Sequence, residues 1–509
     1  MKSKLCIAAL TVVLITGVGT IQAQQPSIAK DYAFHQRITK LKQQIQSNPD
    51  SLKFHKELID SLRRNTVALD EQYTRWIKEF PKSAIIPYAI GSYYERIESS
   101  EAKRYLLIAV ENNPKLSEAW YLLSRDAERW GLLTESKEYV QKAIDIAPKN
   151  VDYRLVQFFF EKDPKKFINL GLKIVDDFPQ SESSALALYW IGEKTKDIKN
   201  KVKYLGLLVK TFSPSKFQVS NIAVKPYFDA LLLDNLKNAI VQAKIMSRTG
   251  ELRETWTNYV KQAQTIALAD SLIKLNKGSE ALVALLDVRL GQYLGFNKVL
   301  ESMKANAYSL QGKHNAAYLS LINAFLQHPS KEINNLIYQY GQKLNKDEHK
   351  IKKDIWNKVD SIARPATQFS LKKTLGVDTV SLADYKGKVV LLTYWYPGCG
   401  PCREEFPHFE NVIKKFNHKD IAYLAINIVP AQNAYVSSFL EKTGYSFLSL
   451  DDPRRVKRDK GNLDNRGFAP VNFLIDKQGR LVFSQFTINQ KNEDELELMI
   501  KILLEGTAE

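Results

Sequence analysis

The chain has 509 residues, of which 44% are hydrophobic, 11% aromatic and 25% charged, and its formal net charge is +17. This composition excludes a disordered or fibrous chain and suffices for two or more packed domains. A basic excess can indicate nucleic acid or an anionic surface as a partner. No nucleic-acid recognition motif accompanies it, so we expect no nucleic-acid partner and attribute the charge to lysines on the solvated faces of long helices.

The first 23 residues have the pattern of a secretory signal peptide. Lys2 and Lys4 precede a short apolar segment, and small residues lead up to Ala23. We therefore expect residues 1–23 to be cleaved near Ala23, which would leave an exported, periplasmic protein with a net charge of +15. A membrane anchor is the alternative, although the apolar segment is short for a span. Cys6 precedes that segment, which argues against its use as a lipid-attachment site.

Prolines then recur at a nearly constant spacing. The intervals between them are 32, 33, 34, 31 and 35 residues. A proline that ends one helix and precedes the next, at a period near 34, is typical of a solenoid built from two-helix repeats. The prolines are Pro49, Pro81, Pro114, Pro148, Pro179 and Pro214.

The fullest repeat lies between Pro114 and Pro148, where bulky, small and apolar residues alternate at helical spacing. These residues are Trp120, Leu123, Ser124, Ala127, Ser136, Val140 and Ala143. The pattern resembles the tetratricopeptide family over about residues 40–345 and is least regular from 215 to 300. We predict an all-α, tetratricopeptide-like solenoid over residues 24–360, and its concave face would bind a peptide or protein partner.

From Pro365 onward the hydrophobic period changes from that of helices to that of strands. We predict a separate α/β domain over residues 361–509, in which a βαβ unit precedes a hairpin and a final helix. The predicted elements are a hairpin of 369–371 with 379–382, strands 388–396, 421–426, 471–475 and 480–483, and helices that follow Cys399 and span 432–443 and 493–505.

Cys399 and Cys402 directly follow the predicted strand 388–396. The first thiol would lie at a helix N-terminus, where unpaired N–H groups and the helix dipole favour a thiolate. The second thiol, one turn later, can close a disulfide with the first. No second ligand pair for zinc is visible, and a four-residue loop gives little stability as a structural staple. We therefore predict a redox-active Cys399–Cys402 disulfide that works without a metal or another cofactor.

Three segments together resemble the TlpA/ResA-type branch of the thioredoxin superfamily over about residues 365–506. The segments are 381–392, the Cys-Gly-Pro-Cys-Arg-Glu-Glu-Phe-Pro stretch at 399–407, and Gly-Phe-Ala-Pro-Val-Asn-Phe-Leu-Ile-Asp at 467–476. The resemblance implies a thioredoxin fold, with Cys399 as the nucleophile and Cys402 as the resolving thiol.

The same resemblance assigns roles to residues around the thiols. Pro470 would be a cis-proline that faces the disulfide, and the backbone of Ala469 would pair with a substrate strand. Trp395 is assigned to substrate binding as well. The supporting residues would be Gly400, Pro401 and Pro407, the last of which would kink the active-site helix.

The sequence departs from this family at three places. Thr393 replaces a buried aspartate of thioredoxins that helps to deprotonate the second thiol, and Gly398 stands where relatives commonly have tryptophan. Val429 and Pro430 stand where some ResA-type proteins have a glutamate. The proton acceptor for Cys402 is therefore unassigned, and we expect the neighbouring Glu404 and Glu405 to face solvent.

The resemblance predicts an exported thiol–disulfide oxidoreductase with protein thiols or disulfides as substrates. Its Gly-Pro dipeptide resembles that of reducing members, so we expect a reductase that a membrane donor of the DsbD/CcdA type recharges. An interaction or scaffold protein with auxiliary thiols is the alternative. A peroxidase is disfavoured, because Tyr396 stands where a peroxidatic site needs threonine or serine. The basic cluster 454–460 is either an ordinary solvated surface or a patch that favours the Cys399 thiolate.

Overall fold

The computed structural model describes residues 25–290, 295–327, 329–452 and 461–506. Their contacts divide the chain into two compact units. The first unit contains the described residues up to Tyr93 together with Arg104–Pro114, and the second contains Tyr94–Lys103 and the described residues from Lys115 onward.

Between Gln25 and Ile362, every regular element of the described residues is an α-helix, as predicted. The helices are α1 (Gln25–Ser47), α2 (Leu52–Leu62), α3 (Thr66–Glu79), α4 (Ile85–Arg96), α5 (Ala102–Asn112), α6 (Ser117–Arg129), α7 (Leu133–Ile146), α8 (Val151–Phe160), α9 (Pro164–Asp177), α10 (Glu182–Lys194), α11 (Ile198–Thr211), α12 (Gln218–Asp234), α13 (Leu236–Thr249), α14 (Arg253–Lys274), α15 (Gly278–Leu286), α16 (Phe296–Ser309), α17 (His314–Gln327), α18 (Lys331–Lys343) and α19 (Glu348–Ile362).

Each of the six periodic prolines lies in a connection between two helices. Pro114, for example, separates α5 from α6, and Pro148 separates α7 from α8. Two helices lie between consecutive prolines, which confirms the two-helix period predicted from the spacing. The tetratricopeptide-like assignment of these pairs stays a prediction.

The first unit contains a buried polar ring. His55 of α2 is buried, and one of its ring nitrogens lies 3.0 Å from the Tyr73 hydroxyl and the other 2.8 Å from the Pro49 carbonyl oxygen. Trp76 packs edge-on against both rings. Because both ring nitrogens have partners, the unit buries an imidazole without an unpaired polar atom.

The C-terminal part of the second unit is built on one sheet, whose eight strands within the described residues have the order β1-β8-β7-β4-β5-β6-β2-β3. The strands are β1 (Arg364–Pro365), β2 (Ser370–Lys373), β3 (Thr379–Ser381), β4 (Val389–Trp395), β5 (Ile421–Asn427), β6 (Leu448–Asp451), β7 (Val471–Ile475) and β8 (Arg480–Phe486). Strands β4, β5 and β6 are parallel, whereas β7 pairs antiparallel with both β4 and β8. The predicted hairpin, strands and final helix are confirmed, whereas β1 and β6 were not predicted.

Every residue of β4 is buried, because the strand is covered on both faces. Helices α20 (Gly400–Ile413), α21 (Asn433–Thr443) and α22 (Glu493–Glu505) contribute to the core on one face. The hairpin β2–β3 and Leu463 contribute to the core on the other. Packing on both faces therefore fixes the position of the C-terminal end of β4 and of the loop that follows it.

The hydrophobic core beneath α20 extends into the last helices of the helical region. The buried side chains of α17, α18 and α19 belong to the same continuous cluster as those of β4, α20 and α22. Tyr318, Phe325 and Ile355 are examples from the helical side. The hydrophobic core thus crosses the position near residue 361 where the sequence predicts a domain boundary.

Within the described part of the chain, no helix combines the length and the apolar character that a membrane crossing requires. The predicted signal peptide, residues 1–23, lies outside the described residues.

Candidate thiol–disulfide site

The two cysteines lie where β4 passes into α20. Cys399 is the N-cap residue of α20, and Cys399 Sγ accepts a hydrogen bond from the Cys402 backbone N–H at 3.2 Å. The two residues form a disulfide, with their Cα atoms 5.3 Å apart. The positive end of the helix dipole therefore faces Cys399 Sγ, where it favours negative charge on that sulfur.

Gly400 and Pro401 form the first turn of α20, where proline is tolerated because its missing N–H would have no helical partner. Pro407 lies inside the same helix, as expected. Both cysteines are almost fully covered, since only 2% of Cys399 and 1% of Cys402 is exposed.

The Ala469–Pro470 peptide bond is cis, as the family resemblance implies. Val471 pairs with Tyr394 in the antiparallel ladder between β7 and β4. Pro470 precedes β7, and the cysteine loop follows β4, so both lie at the same end of the sheet. Ala469 packs against the hydrophobic cluster that includes both cysteines.

A cavity of about 410 Å³ adjoins Pro470. Its lining includes Arg466, Phe468, Val471 and Phe486. Phe468 is 70% exposed, which is unusual for a phenylalanine that is not part of an interaction surface. The basic cluster 454–460, predicted to lie near this loop, falls outside the described residues.

Trp395 does not fit the predicted role in substrate binding. Its side chain is completely buried and packs against Phe406, Phe439 and Phe447. A side chain without exposed surface cannot touch a bound protein, so Trp395 is a core residue beneath the thiols. The prediction failed because β4 is covered on both faces.

A chain of buried polar groups lies at the position of the missing aspartate. Thr393 Oγ1 donates a hydrogen bond to Asn472 Oδ1 at 2.6 Å, and Asn472 Nδ2 donates one to Glu405 Oε2 at 2.9 Å. The other oxygen of Glu405 accepts a hydrogen bond from the Ile488 backbone N–H at 3.1 Å. A buried carboxyl group from α20 thus lies next to Asn472 and is linked through it to Thr393.

The expectation that Glu405 faces solvent was wrong. Only 6% of Glu405 is exposed, and burial raises its pKa to about 7, although the hydrogen bonds from Asn472 and Ile488 oppose that rise. Glu404 does face outward, and its carboxylate lies 3.5 Å from Lys194 Nζ. Residues 402, 405, 406 and 409 share one face of a helix, so the buried pattern of Cys402, Phe406 and Phe409 could have placed Glu405 inside.

Asn472 and Gln432 are further polar residues of the site that the sequence did not single out. Asn472 lies in an apolar strand, and Gln432 lies at the start of α21, where its Oε1 accepts a hydrogen bond from the Gly398 N–H at 2.7 Å. Both side chains are buried. A buried amide in an otherwise apolar segment was the available signal for Asn472, whereas nothing local indicated Gln432. Among the residues with described positions, no cluster of His, Cys, Asp or Glu could hold a metal ion.

Comparisons with known proteins agree with this geometry. Residues 362–500 match the family model described as Redoxin. Over 120 residues the chain is 34% identical to the thiol-disulfide oxidoreductase ResA of Bacillus subtilis, and over 116 residues it is 34% identical to the thioredoxin-like protein YneN of the same organism. These alignments include 23% and 22% of this chain but only 63% and 65% of the two curated relatives.

A solved structure, of a protein assigned as the thiol:disulfide interchange protein DsbE from Chlorobium tepidum, is 29% identical and has a TM-score of 0.25. It aligns with 28% of this chain and 96% of its own. The C-terminal part of the chain is a redoxin-type domain with the thioredoxin-like α/β fold, and it follows an all-helical region. Its relatives include ResA and YneN, which supports the family predicted from the Cys399 and Pro470 motifs.

Proposed function

We propose that this protein is an exported thiol–disulfide oxidoreductase that acts as a disulfide reductase on protein substrates. The observation on which the proposal rests is the Cys399–Cys402 disulfide at the N-terminus of α20, at the same sheet end as the cis Ala469–Pro470 bond. The names of the ResA relatives and the secretory pattern of residues 1–23 support the activity and the export, respectively.

In the reduced protein, the Cys399 thiolate attacks one sulfur of a substrate disulfide. A mixed disulfide forms, and the first substrate thiolate leaves. Cys402 Sγ then attacks Cys399 Sγ, which releases the second substrate thiolate and forms the Cys399–Cys402 disulfide. Two electrons pass to the substrate, and the protein reaches the oxidised state that the structure contains.

Glu405 is the proton acceptor that we assign to Cys402 in the second step. It follows Cys402 by three residues on the same buried helix face, a spacing that brings Cβ atoms within about 5–6 Å. A carboxyl group with a pKa of about 7 is half ionised near neutral pH, where it can take up a proton and return it. Ala469 would pair with the substrate backbone beside the thiols.

The return to the dithiol state requires two electrons and two protons from a reduced dithiol donor. A membrane protein of the DsbD/CcdA type would supply them in the cell, and no further cofactor takes part. The Gly400-Pro401 dipeptide, which resembles that of reducing family members, favours this direction.

The helical region would serve as a partner-binding surface. A cleft of about 620 Å³ lies between α7, α8 and α9, and Lys137, Lys162, Lys166 and Lys173 line it together with Phe160 and Leu170. Exposed lysines around an apolar floor complement an acidic segment with apolar side chains. We assign an acidic peptide segment of a partner protein to this cleft.

Insulin reduction with dithiothreitol as the donor tests the main proposal. Cys399→Ser should abolish the reaction, because the attacking sulfur is lost, whereas Cys402→Ser should accumulate mixed disulfides detectable by mass spectrometry. If both variants reduced insulin at the wild-type rate, the exchange mechanism would be wrong. The scaffold alternative would then gain support, provided that the wild type still bound partners through the helical region.

A further inference from the structure

The turn that ends α4 has an unusual residue at its key position. The Glu98 N–H donates to the Glu95 carbonyl at 2.9 Å, and the Ser99 N–H donates to the Tyr94 carbonyl at 2.8 Å. This pair of hydrogen bonds is the Schellman motif, which needs one residue in the left-handed conformation. Glu98 is that residue, with φ 55°.

Four other described helices of the region end in the same motif. The N–H groups after α6, α14, α16 and α18 make the equivalent hydrogen bonds. There the left-handed residues are Gly131, Asn276, Gly312 and Asn345, the two residue types that tolerate this conformation best. Glutamate has no such advantage, so the backbone does not explain its presence in the turn after α4.

The Glu98 side chain reaches the thiol site. Its Oε2 accepts a hydrogen bond from Gln432 Nε2 at 2.5 Å, and Gln432 Oε1 accepts one from the Gly398 N–H at 2.7 Å. Gly398 directly precedes Cys399. Glu98, which lies in the helical region, is thus connected to the loop before Cys399 through the buried side-chain amide of Gln432.

A buried ion pair anchors the turn. Arg129 Nη2 lies 2.9 Å from Glu95 Oε1 and 3.6 Å from Glu98 Oε1. Arg129 and Glu95 are both buried. On the other side, Arg403 of α20 pairs with Glu128 at 2.5 Å and donates to the Pro397 carbonyl at 2.7 Å. Contacts from α4 and α6 therefore hold the loop before Cys399 from two directions.

Glu98 also occupies the space next to the nucleophile. A Cβ atom on Gly398 would lie 2.6 Å from Glu98 Oε2, which is closer than atoms approach in proteins. Gly398, the departure from family tryptophan noted above, therefore leaves room for a carboxylate from the helical region. The nucleophile beside it is only 2% exposed.

We propose that Glu98 is a specificity-determining residue of the thiol site, because its carboxylate lies against Gly398, directly before Cys399, and so disfavours the disulfides of bulky proteins. This inference rests on the proposed function. Thiol–disulfide exchange requires the attacking sulfur to reach a substrate sulfur directly. A small disulfide needs little room beside Glu98, whereas the disulfide of a folded protein brings bulk that the Glu98 side chain opposes.

The test compares two substrates on the full-length protein, insulin and the small, uncharged hydroxyethyl disulfide. Glu98→Gly keeps the left-handed turn and removes the side chain. We expect it to raise the rate with insulin, relative to the rate with hydroxyethyl disulfide, by about tenfold, which is about 1.4 kcal/mol in activation free energy. Glu98→Asn, which also tolerates the left-handed conformation, should act in the same direction.

Asn276→Gly is the matched control, since it changes the equivalent residue of the turn after α14 and should leave the ratio unchanged. The inference would be overturned if the ratio of the insulin rate to the hydroxyethyl disulfide rate were unchanged in both Glu98 variants. Equal losses of rate with both substrates would also overturn it, because Glu98 would then only support the loop. If the wild type reduced neither substrate, the proposed function itself would fail. If it reduced both substrates and the ratio did not respond to Glu98, only the specificity role would fail.

Discussion

Glu405 is a carboxyl group that the fold keeps out of water one turn after Cys402. Its two oxygens accept hydrogen bonds from Asn472 and Ile488, yet burial raises its pKa to about 7. Burial therefore outweighs the two hydrogen bonds. The outcome is a group that can exchange a proton near neutral pH.

The raised pKa of Glu405 predicts a specific pH dependence of stability. The folded state binds this proton more tightly than the unfolded state, so the group stabilises the fold fully below about pH 4.5 and loses that contribution as the pH rises through about 7. The contribution lost is about 3 kcal/mol. Glu405→Gln cannot ionise, so the difference in unfolding free energy between variant and wild type should shift in favour of the variant over this range.

Urea denaturation of both proteins between pH 4.5 and 8 measures this difference. Glu404→Gln is the control and should follow the wild-type curve, because its carboxylate is exposed. A constant difference between Glu405→Gln and wild type across the range would contradict a buried, proton-binding Glu405.

At Glu98 the backbone conformation is unfavourable, whereas the side chain makes a hydrogen bond to Gln432. A non-glycine residue in the left-handed region costs about 1 kcal/mol or more. This conformational cost falls on the turn after α4. The hydrogen bonds that the side chain makes possible lie elsewhere, at Gln432 and the loop before Cys399. Residues that are unfavourable for their own turn are candidates for a role elsewhere in the molecule.

At the scale of helices, the cleft between α7, α8 and α9 predicts salt-sensitive peptide binding. Changing Lys137, Lys166 and Lys173 to alanine should weaken the binding of an acidic, leucine-containing peptide by about tenfold at low salt. The loss should be smaller at high salt, because ions screen exposed charges over about 8–10 Å. Fluorescence anisotropy of the labelled peptide measures both values.

A second triple variant controls for net charge. Lys237, Lys244 and Lys261 are exposed on α13 and α14, outside the cleft. Their change to alanine should leave peptide affinity close to that of the wild type. Equal losses in the two triple variants would mean that the protein binds the peptide through its overall charge rather than through the cleft.

At the scale of the whole chain, the redoxin-type domain shares its core with the last helices of the helical region. Phe325 of α17 and Phe406 of α20 belong to one cluster, whereas Phe158 of α8 belongs to another. All three side chains are fully buried. We therefore expect helices α17–α19 to stabilise the sheet beneath the thiols directly.

Phe325→Ala should destabilise the protein by about 3–5 kcal/mol and lower the hydrogen-exchange protection of the β4 amides. Phe158→Ala removes an equally buried ring from the other cluster and should lower protection mainly in α8–α12. Hydrogen exchange with mass spectrometry resolves the two regions. Unchanged β4 protection in Phe325→Ala would show that the two parts are energetically independent.

The sequence alone determined the features that depend on local pattern. The proline period placed the helix pairs, apolar segments placed strands β4, β5 and β7, and the Cys399–Cys402 spacing after an apolar strand predicted the redox site. Each of these follows from side chains close together in the chain, where the helical and strand periods impose a readable order.

The tertiary structure decided what depends on contacts between distant residues. Trp395 became a core residue because helices cover its strand, and Glu405 became a proton-binding group because the fold buries its side of α20. Glu98 and Gly398 are 300 residues apart in the sequence, and only their contact explains both the glycine before Cys399 and the glutamate in a left-handed turn. Burial and long-range contact change a residue's chemistry without leaving a local pattern, so the sequence could not show them.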